Sequence, residues 1–84
     1  MKTMKYIEYN PNMGLLIDVR DKSISNAKPI RYAKNIPYNE LIFNHNKYLS
    51  KNNIYFIICD GGVKSKKTCN ILSVYGYNVV NVIK

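Results

Sequence analysis

Ile54-Tyr55-Phe56-Ile57-Ile58-Cys59-Asp60-Gly61-Gly62-Val63-Lys64-Ser65 runs from an apolar stretch through a thiol into a glycine pair. The continuous run Ile54–Ile58 predicts a strand buried on both faces, as in a parallel sheet. The glycine pair predicts a tight turn, and Ser65 to Tyr75 reads as a helix with Thr68, Cys69 and Leu72 facing inward, joined by Ile71 or Tyr75. Gly76 is the residue expected just past that helix. A strand that hands its last side chain to a helix N-terminus aims backbone N–H groups and a positive dipole end at one point. A thiolate at Cys59 is stabilised by both.

Outward from this seam, strands and helices alternate. Met4-Lys5-Tyr6-Ile7-Glu8-Tyr9 alternates polar and apolar and predicts a short edge strand. Asn10-Pro11-Asn12-Met13-Gly14 is turn chemistry. Leu15-Leu16-Ile17-Asp18-Val19 predicts a second buried strand ending near a carboxylate. Arg20 to Lys34 is polar and irregular, with Pro29 inside it, and reads as a loop with at most one helical turn. Tyr38 to Leu49 predicts one helix, because Leu41, Ile42, His45, Tyr48 and Leu49 share a face. Val79-Val80-Asn81-Val82-Ile83 closes the chain as a last strand with an open edge. The order predicts an α/β fold with right-handed parallel crossovers. Length supports one domain, residues 1–84.

Composition narrows the function. Two cysteines make no disulfide framework, and Met1-Lys2-Thr3-Met4-Lys5 is followed by no apolar leader segment. No stretch reaches the roughly 20 apolar residues that cross a bilayer. The cytoplasm is the compartment expected, where thiols stay reduced. The net charge of +8 admits an anionic partner. The basic residues match no nucleic-acid-binding module, so nucleic acid is not the partner expected. Their one local concentration, Lys64, Lys66 and Lys67, follows Cys59 and is expected to surround it and attract small anions. No metal-ligand spacing is present. His45 reads as a satisfied, partly buried histidine, and Cys69 as core.

Four segments together carry a resemblance. They are Leu16-Ile17-Asp18-Val19-Arg20; Asn35-Ile36-Pro37 with Leu41; Cys59-Asp60-Gly61-Gly62-Val63-Lys64-Ser65; and Gly76-Tyr77 with Val79. In this order and spacing the chain resembles a rhodanese-like (sulfurtransferase) domain, over about Leu15 to Ile83. The family pattern has a Cys-x-x-Gly-x-Arg-Ser loop opening a helix. The resemblance implies a small rhodanese-like domain with a central, mainly parallel sheet and helices on both faces. It also implies that Cys59 takes up a sulfane sulfur as a persulfide and passes it on, without a cofactor. Asp60, Gly61, Gly62, Val63, Lys64 and Ser65 then form the substrate-binding cradle, with Asp18 and Arg20 as a supporting pair. A small anionic donor such as thiosulfate and a thiol acceptor, free or on a partner protein, are the substrates implied. The chain departs from the family pattern at three places. Lys64 stands at the loop arginine, Lys28-Pro29-Ile30-Arg31-Tyr32-Ala33 replaces a Gly-His-Ile-Pro-Gly-Ala stretch, and both termini read as trimmed. The departures admit the alternative of a non-catalytic rhodanese-like interaction or regulatory module.

Loop length separates this chemistry from phosphoryl transfer. Cysteine phosphatases carry an arginine six positions after the nucleophile, closing the loop around a tetrahedral phosphate. Here that position is Ser65, and the basic residue, Lys64, comes one position earlier. The shorter loop favours sulfur. Asp60 opposes ionisation of its neighbour Cys59 unless its carboxylate turns away.

Overall fold

Alternation along three strands divides the interior into two cores. A computed structural model describes residues 1–84 and contains five strands: β1 (Lys2–Lys5), β2 (Leu15–Asp18), β3 (Ala33–Asn35), β4 (Ile54–Ile58) and β5 (Asn78–Ile83). They form one sheet in the order β1-β5-β4-β2-β3, every pairing parallel. The central strand is β4, the continuous apolar run. Its odd positions, Tyr55 and Ile57, continue with Cys59 into one core together with Ile17 and Val79. Phe56 and Ile58 point the other way and join Leu16, Val80 and Val82. Burial on both faces is why the run shows no polar alternation.

Four helices connect the strands: α1 (Lys22–Ala27), α2 (Tyr38–Phe43), α3 (His45–Tyr48) and α4 (Val63–Val74). Leu41 of α2, Leu49 just after α3, and Cys69 and Leu72 of α4 close the first core. The second face is covered more thinly, by Tyr6, Tyr9 and Ile30 packed on its five buried residues. Tyr9 sets its ring edge against Phe56 at 5.4 Å between centroids, and its hydroxyl donates to the Gly14 carbonyl at 2.7 Å.

Several expectations change. The first strand is Lys2–Lys5, and Tyr6–Glu8 is a 3₁₀ turn. The Lys5 amide donates to Glu8 Oε1 at 3.2 Å and the Tyr9 amide to Tyr6 O at 3.0 Å, which curls the chain. The turn aims Tyr6 and Tyr9 at the sheet and leaves Ile7 90% exposed, so a pattern resembling strand alternation came from a turn. The segment Arg20–Lys34 holds both α1 and the start of β3. β3 is a three-residue edge strand whose register is Leu16↔Ala33, Ile17↔Lys34 and Asp18↔Asn35, too short to show a period.

The expected helix Tyr38–Leu49 breaks at Asn44. Both the amide and the side-chain Nδ2 of Asn44 donate to Glu40 O, at 3.1 and 3.0 Å, and its backbone leaves the helical region. All five expected facing residues are still buried or half-buried. The last strand, finally, is not open. β1 pairs with β5 from Lys2↔Val80 to Lys5↔Ile83, so dimerisation through a free β5 edge is excluded by the chain's own N-terminus.

The helix α4 starts two residues before Ser65, with Gly62 as N-cap at φ +84°. It ends as expected. The Tyr77 amide reaches Leu72 O at 3.1 Å, and the Gly76 amide reaches Ser73 O at 3.0 Å with Gly76 at φ +94°. These are the two bonds of a Schellman cap.

Candidate active site

The carboxyl ends of parallel strands gather the chemistry-bearing residues at one edge of the sheet, where α/β folds bind ligands. Asp18 ends β2, Asn35 ends β3, and Cys59 follows β4. Their backbones are tied: the Val19 amide donates to Ile58 O at 3.1 Å and the Ile36 amide to Asp18 O at 3.0 Å. Asn35 Nδ2 donates to the carbonyls of Asp18 and Arg20, both at 2.9 Å. The asparagine before Ile36-Pro37 thus clamps the turn that carries Arg20.

Cys59 is 5% exposed, with Sγ accepting from the Ser65 amide at 3.2 Å. Ser65 is the third residue of α4, so its N–H is one of the amides that no helical carbonyl satisfies. The sulfur therefore acts as the helix's capping acceptor. The amides of Gly61, Gly62, Val63 and Lys64 donate to no backbone carbonyl, leaving further donors on this loop. Positive φ at Gly62 turns the chain into the helix, a conformation that costs a glycine little. A cavity of about 220 Å³ opens at the thiol, walled by Arg20, Ile24, Asp60, Gly61, Val63 and Lys64.

Beside the thiol lies an ion network whose Asp18–Arg20 pair is buried. Arg20 donates from Nε to Asp18 Oδ1 and from NH2 to Asp18 Oδ2, both at 2.9 Å, and its amide reaches Oδ1 at 3.0 Å. The same guanidinium donates to Lys28 O at 2.6 Å and to Asp60 Oδ1 at 3.2 Å. Lys84 Nζ holds the same Asp60 oxygen at 2.6 Å. The Asp60 carboxylate is thereby occupied by two cations. The hydrogen bond from Lys84 is the main cause holding it below the usual carboxylate range.

Burial works against the ionised Asp18, but the hydrogen bonds from Arg20 override it and lower its pKa. A folded-state pKa below the unfolded one stabilises the fold above the unfolded value, and that contribution is lost as pH falls through the folded one. Melting temperature should therefore fall as pH drops below about 4. Thermal melts should show a shallower acid slope in Asp18→Asn; an unchanged slope would remove Asp18 from that role.

Of the expected cradle, Asp60, Gly61, Val63 and Lys64 line the cavity with Cys59. Gly62 and Ser65 lie outside its lining, Ser65 fully buried against the sulfur. Arg20, expected only to support, is itself a wall. Ile24 was missed because it sits on α1, in the stretch read as loop. The three lysines do not surround the thiol. Lys64 lines the cavity, 3.6 Å from Asp21 Oδ1, whereas Lys67 lies over the Tyr38 ring at 5.2 Å. Lys66 lines neither this cavity nor the neighbouring one beside Tyr38. Successive helical residues point about 100° apart, so neighbours in sequence do not share a face.

Cys69 is fully buried, and its thiol is pushed up to about 12, first by burial and then by nearby Cys59. It stays protonated at neutral pH. His45 is satisfied: Nδ1 lies 2.8 Å from Tyr77 Oη, and the ring stacks on Tyr75 at 4.4 Å. Asn81, unnoticed in the sequence, has a buried side-chain oxygen without a partner. It pairs in register with Ile57 on β4. No group of three His, Cys, Asp or Glu side chains could hold a metal, and no helix is long and apolar enough to cross a membrane.

A small all-parallel sheet with a cysteine loop between its central strand and a helix defines a rhodanese-like architecture, and comparison with known proteins bears this out. No family model matches the sequence, and no curated protein matches it. Among solved structures, a rhodanese-like domain protein from Staphylococcus aureus is 32% identical, with TM-score 0.80, covering 98% of this chain and 84% of that one. A Staphylococcus saprophyticus protein is 30% identical, with TM-score 0.82 and coverage of 98% and 86%. A rhodanese-related protein from Thermoplasma volcanium is 27% identical, with TM-score 0.84 and coverage of 98% and 83%. The chain belongs to the rhodanese-like family.

Proposed function

We propose that the protein is a sulfurtransferase or persulfide carrier working through Cys59. The observation that carries this reading is a thiol held by a helix-N-terminal amide, in the lining of a cavity it shares with Arg20 and Lys64. The Cys59 thiolate attacks the outer sulfur of thiosulfate. A new S–S bond forms, the old one breaks, and sulfite leaves with the electron pair. The terminal sulfur of the Cys59 persulfide carries the negative charge, and the loop amides together with Lys64 stabilise it. An acceptor thiolate, free or on a partner protein, then attacks that terminal sulfur and releases the Cys59 thiolate. The two half-reactions give ping-pong kinetics. Lys64 offers charge without the planar fork of an arginine, so it attracts the anion without bidentate geometry.

Intact mass after incubation with thiosulfate tests the proposal. Wild type and Cys69→Ala should each gain one sulfur atom, and Cys59→Ser none. No gain on wild type, or an equal gain on Cys59→Ser, would sink the reading.

The low exposure of Cys59, 5%, favours one second reading, a non-catalytic module that recognises a partner through the surface around Arg31 and Lys64. Under that reading Cys59→Ser preserves cellular function while Lys64→Glu or Arg31→Glu abolishes it.

A further inference from the structure

The largest cavity in the molecule, about 580 Å³, is not the one at Cys59. It lies past the carboxyl ends of β1 and β5, beside the 29–31 segment. Ile7, Pro29, Ile30 and Ile83 supply its apolar lining, and Lys5, Arg31 and Lys84 its charge. Two of its apolar residues stay in water, Ile7 at 90% and Ile83 at 46% exposure. Its walls are tied together. The Tyr6 hydroxyl donates to Arg31 O at 2.8 Å, and Lys5 pairs with Ile83 in the β1–β5 ladder.

The side-chain charge lining this cavity is one-sided. No acidic residue lines it, and neither Lys5 nor Arg31 takes part in any of the molecule's four ion pairs. The acids nearby are committed elsewhere: Glu8 accepts the Lys5 backbone amide, and Asp60 binds Arg20 and Lys84. Ligand sites run to about 300–1,000 Å³ and combine an apolar lining with a few polar anchors. We propose that this cavity binds a small amphipathic anion, its apolar body on Ile7, Ile30 and Ile83 and its head between Lys5 and Arg31. A second copy of the chain is disfavoured as occupant, because it brings a net charge of +8 to a cationic rim. The Lys28–Ala33 stretch, which departs from the family pattern, supplies Pro29, Ile30 and Arg31 to the lining.

The proposal does not depend on sulfur chemistry at Cys59, but the two cavities touch the same carboxylate. Asp60 lines the Cys59 cavity and bonds Arg20 on its wall, while Lys84 reaches Asp60 from the larger cavity. An anionic head between Lys5 and Arg31 that also reaches Lys84 competes with Asp60 for that ammonium.

Octanoate and octanol, matched in chain length and differing in charge, test the proposal by amide chemical shifts of the whole isotope-labelled chain. Octanoate should give saturable shifts at Lys5–Ile7, Ile30, Arg31, Ile83 and Lys84, and bind about tenfold or more tightly than octanol. Lys5→Glu/Arg31→Glu should remove that advantage while octanol binding and the remaining spectrum stay as in wild type. Cys59→Ser should bind octanoate as wild type does. Equal affinity for the two probes, shifts scattered over the surface or centred on the Cys59 loop, or no saturable shift would each overturn the proposal. So would binding of an acidic peptide at these residues with none of octanoate.

Discussion

Arg20→Leu is expected to cost about 3–5 kcal/mol of folding stability, because it strips a buried carboxylate of its counter-ion. The side chains of Arg20 and Asp18 are 4% and 1% exposed. Removing the guanidinium also leaves Lys28 O without its donor and frees Asp60 from one of its two cations. An 84-residue chain at ordinary stability holds about 4–13 kcal/mol in total, so this one change removes a large share. Urea denaturation measures it directly. Replacing both members, Asp18→Leu with Arg20→Leu, should lose less than Arg20→Leu alone, since the stranded charge is gone. A single variant within about 0.5 kcal/mol of wild type would show that the network does not hold the loops together.

Gly14→Ala should be the most damaging of the glycine substitutions. Gly14 sits at φ +152°, and a Cβ there would stand 2.7 Å from the Ile54 carbonyl oxygen and 3.2 Å from Ile54 Cγ2 and Phe56 Cε1. The oxygen belongs to the first residue of β4, beside the Leu15↔Tyr55 pair, so relief means parting β2 from the central strand. Strain of about 1–3 kcal/mol adds to a similar overpacking cost. Gly61→Ala is the control: a Cβ there meets nothing within 4 Å, and its stability should stay within about 0.5 kcal/mol of wild type. Equal melting of the two variants would refute the close approach at Gly14.

Legibility followed burial and local chemistry. Ile54–Ile58 was read with its true bounds because a strand covered on both faces is apolar throughout. The end of α4 was readable at Gly76 because only one backbone geometry closes that cap cheaply. β3 was not legible: three residues at a sheet edge have neither period nor burial to announce them. The break at Asn44 was hidden because the facing residues stay buried or half-buried despite it, and the local cause is a side chain competing for the Glu40 carbonyl. The Met4–Tyr9 stretch resembled a strand because six residues are too few to separate strand alternation from a turn.

The amino-acid sequence by itself determined the parallel α/β class, the family, and the thiol between the central strand and a helix. These rest on periodicity, glycine geometry and ordered motifs, all of which are local along the chain. Tertiary structure alone decided that Arg20 walls the Cys59 cavity, that Ser65 reaches the sulfur from behind, and that Lys66 and Lys67 stand away from it. It alone brought Lys84 to Asp60, and it alone closed β5 with β1 and so formed the larger cavity. Those contacts join residues between six and 78 positions apart, from Cys59–Ser65 to Lys2–Val80 and Lys5–Ile83. Their geometry depends on how strands stack across the sheet, which no short-range pattern encodes.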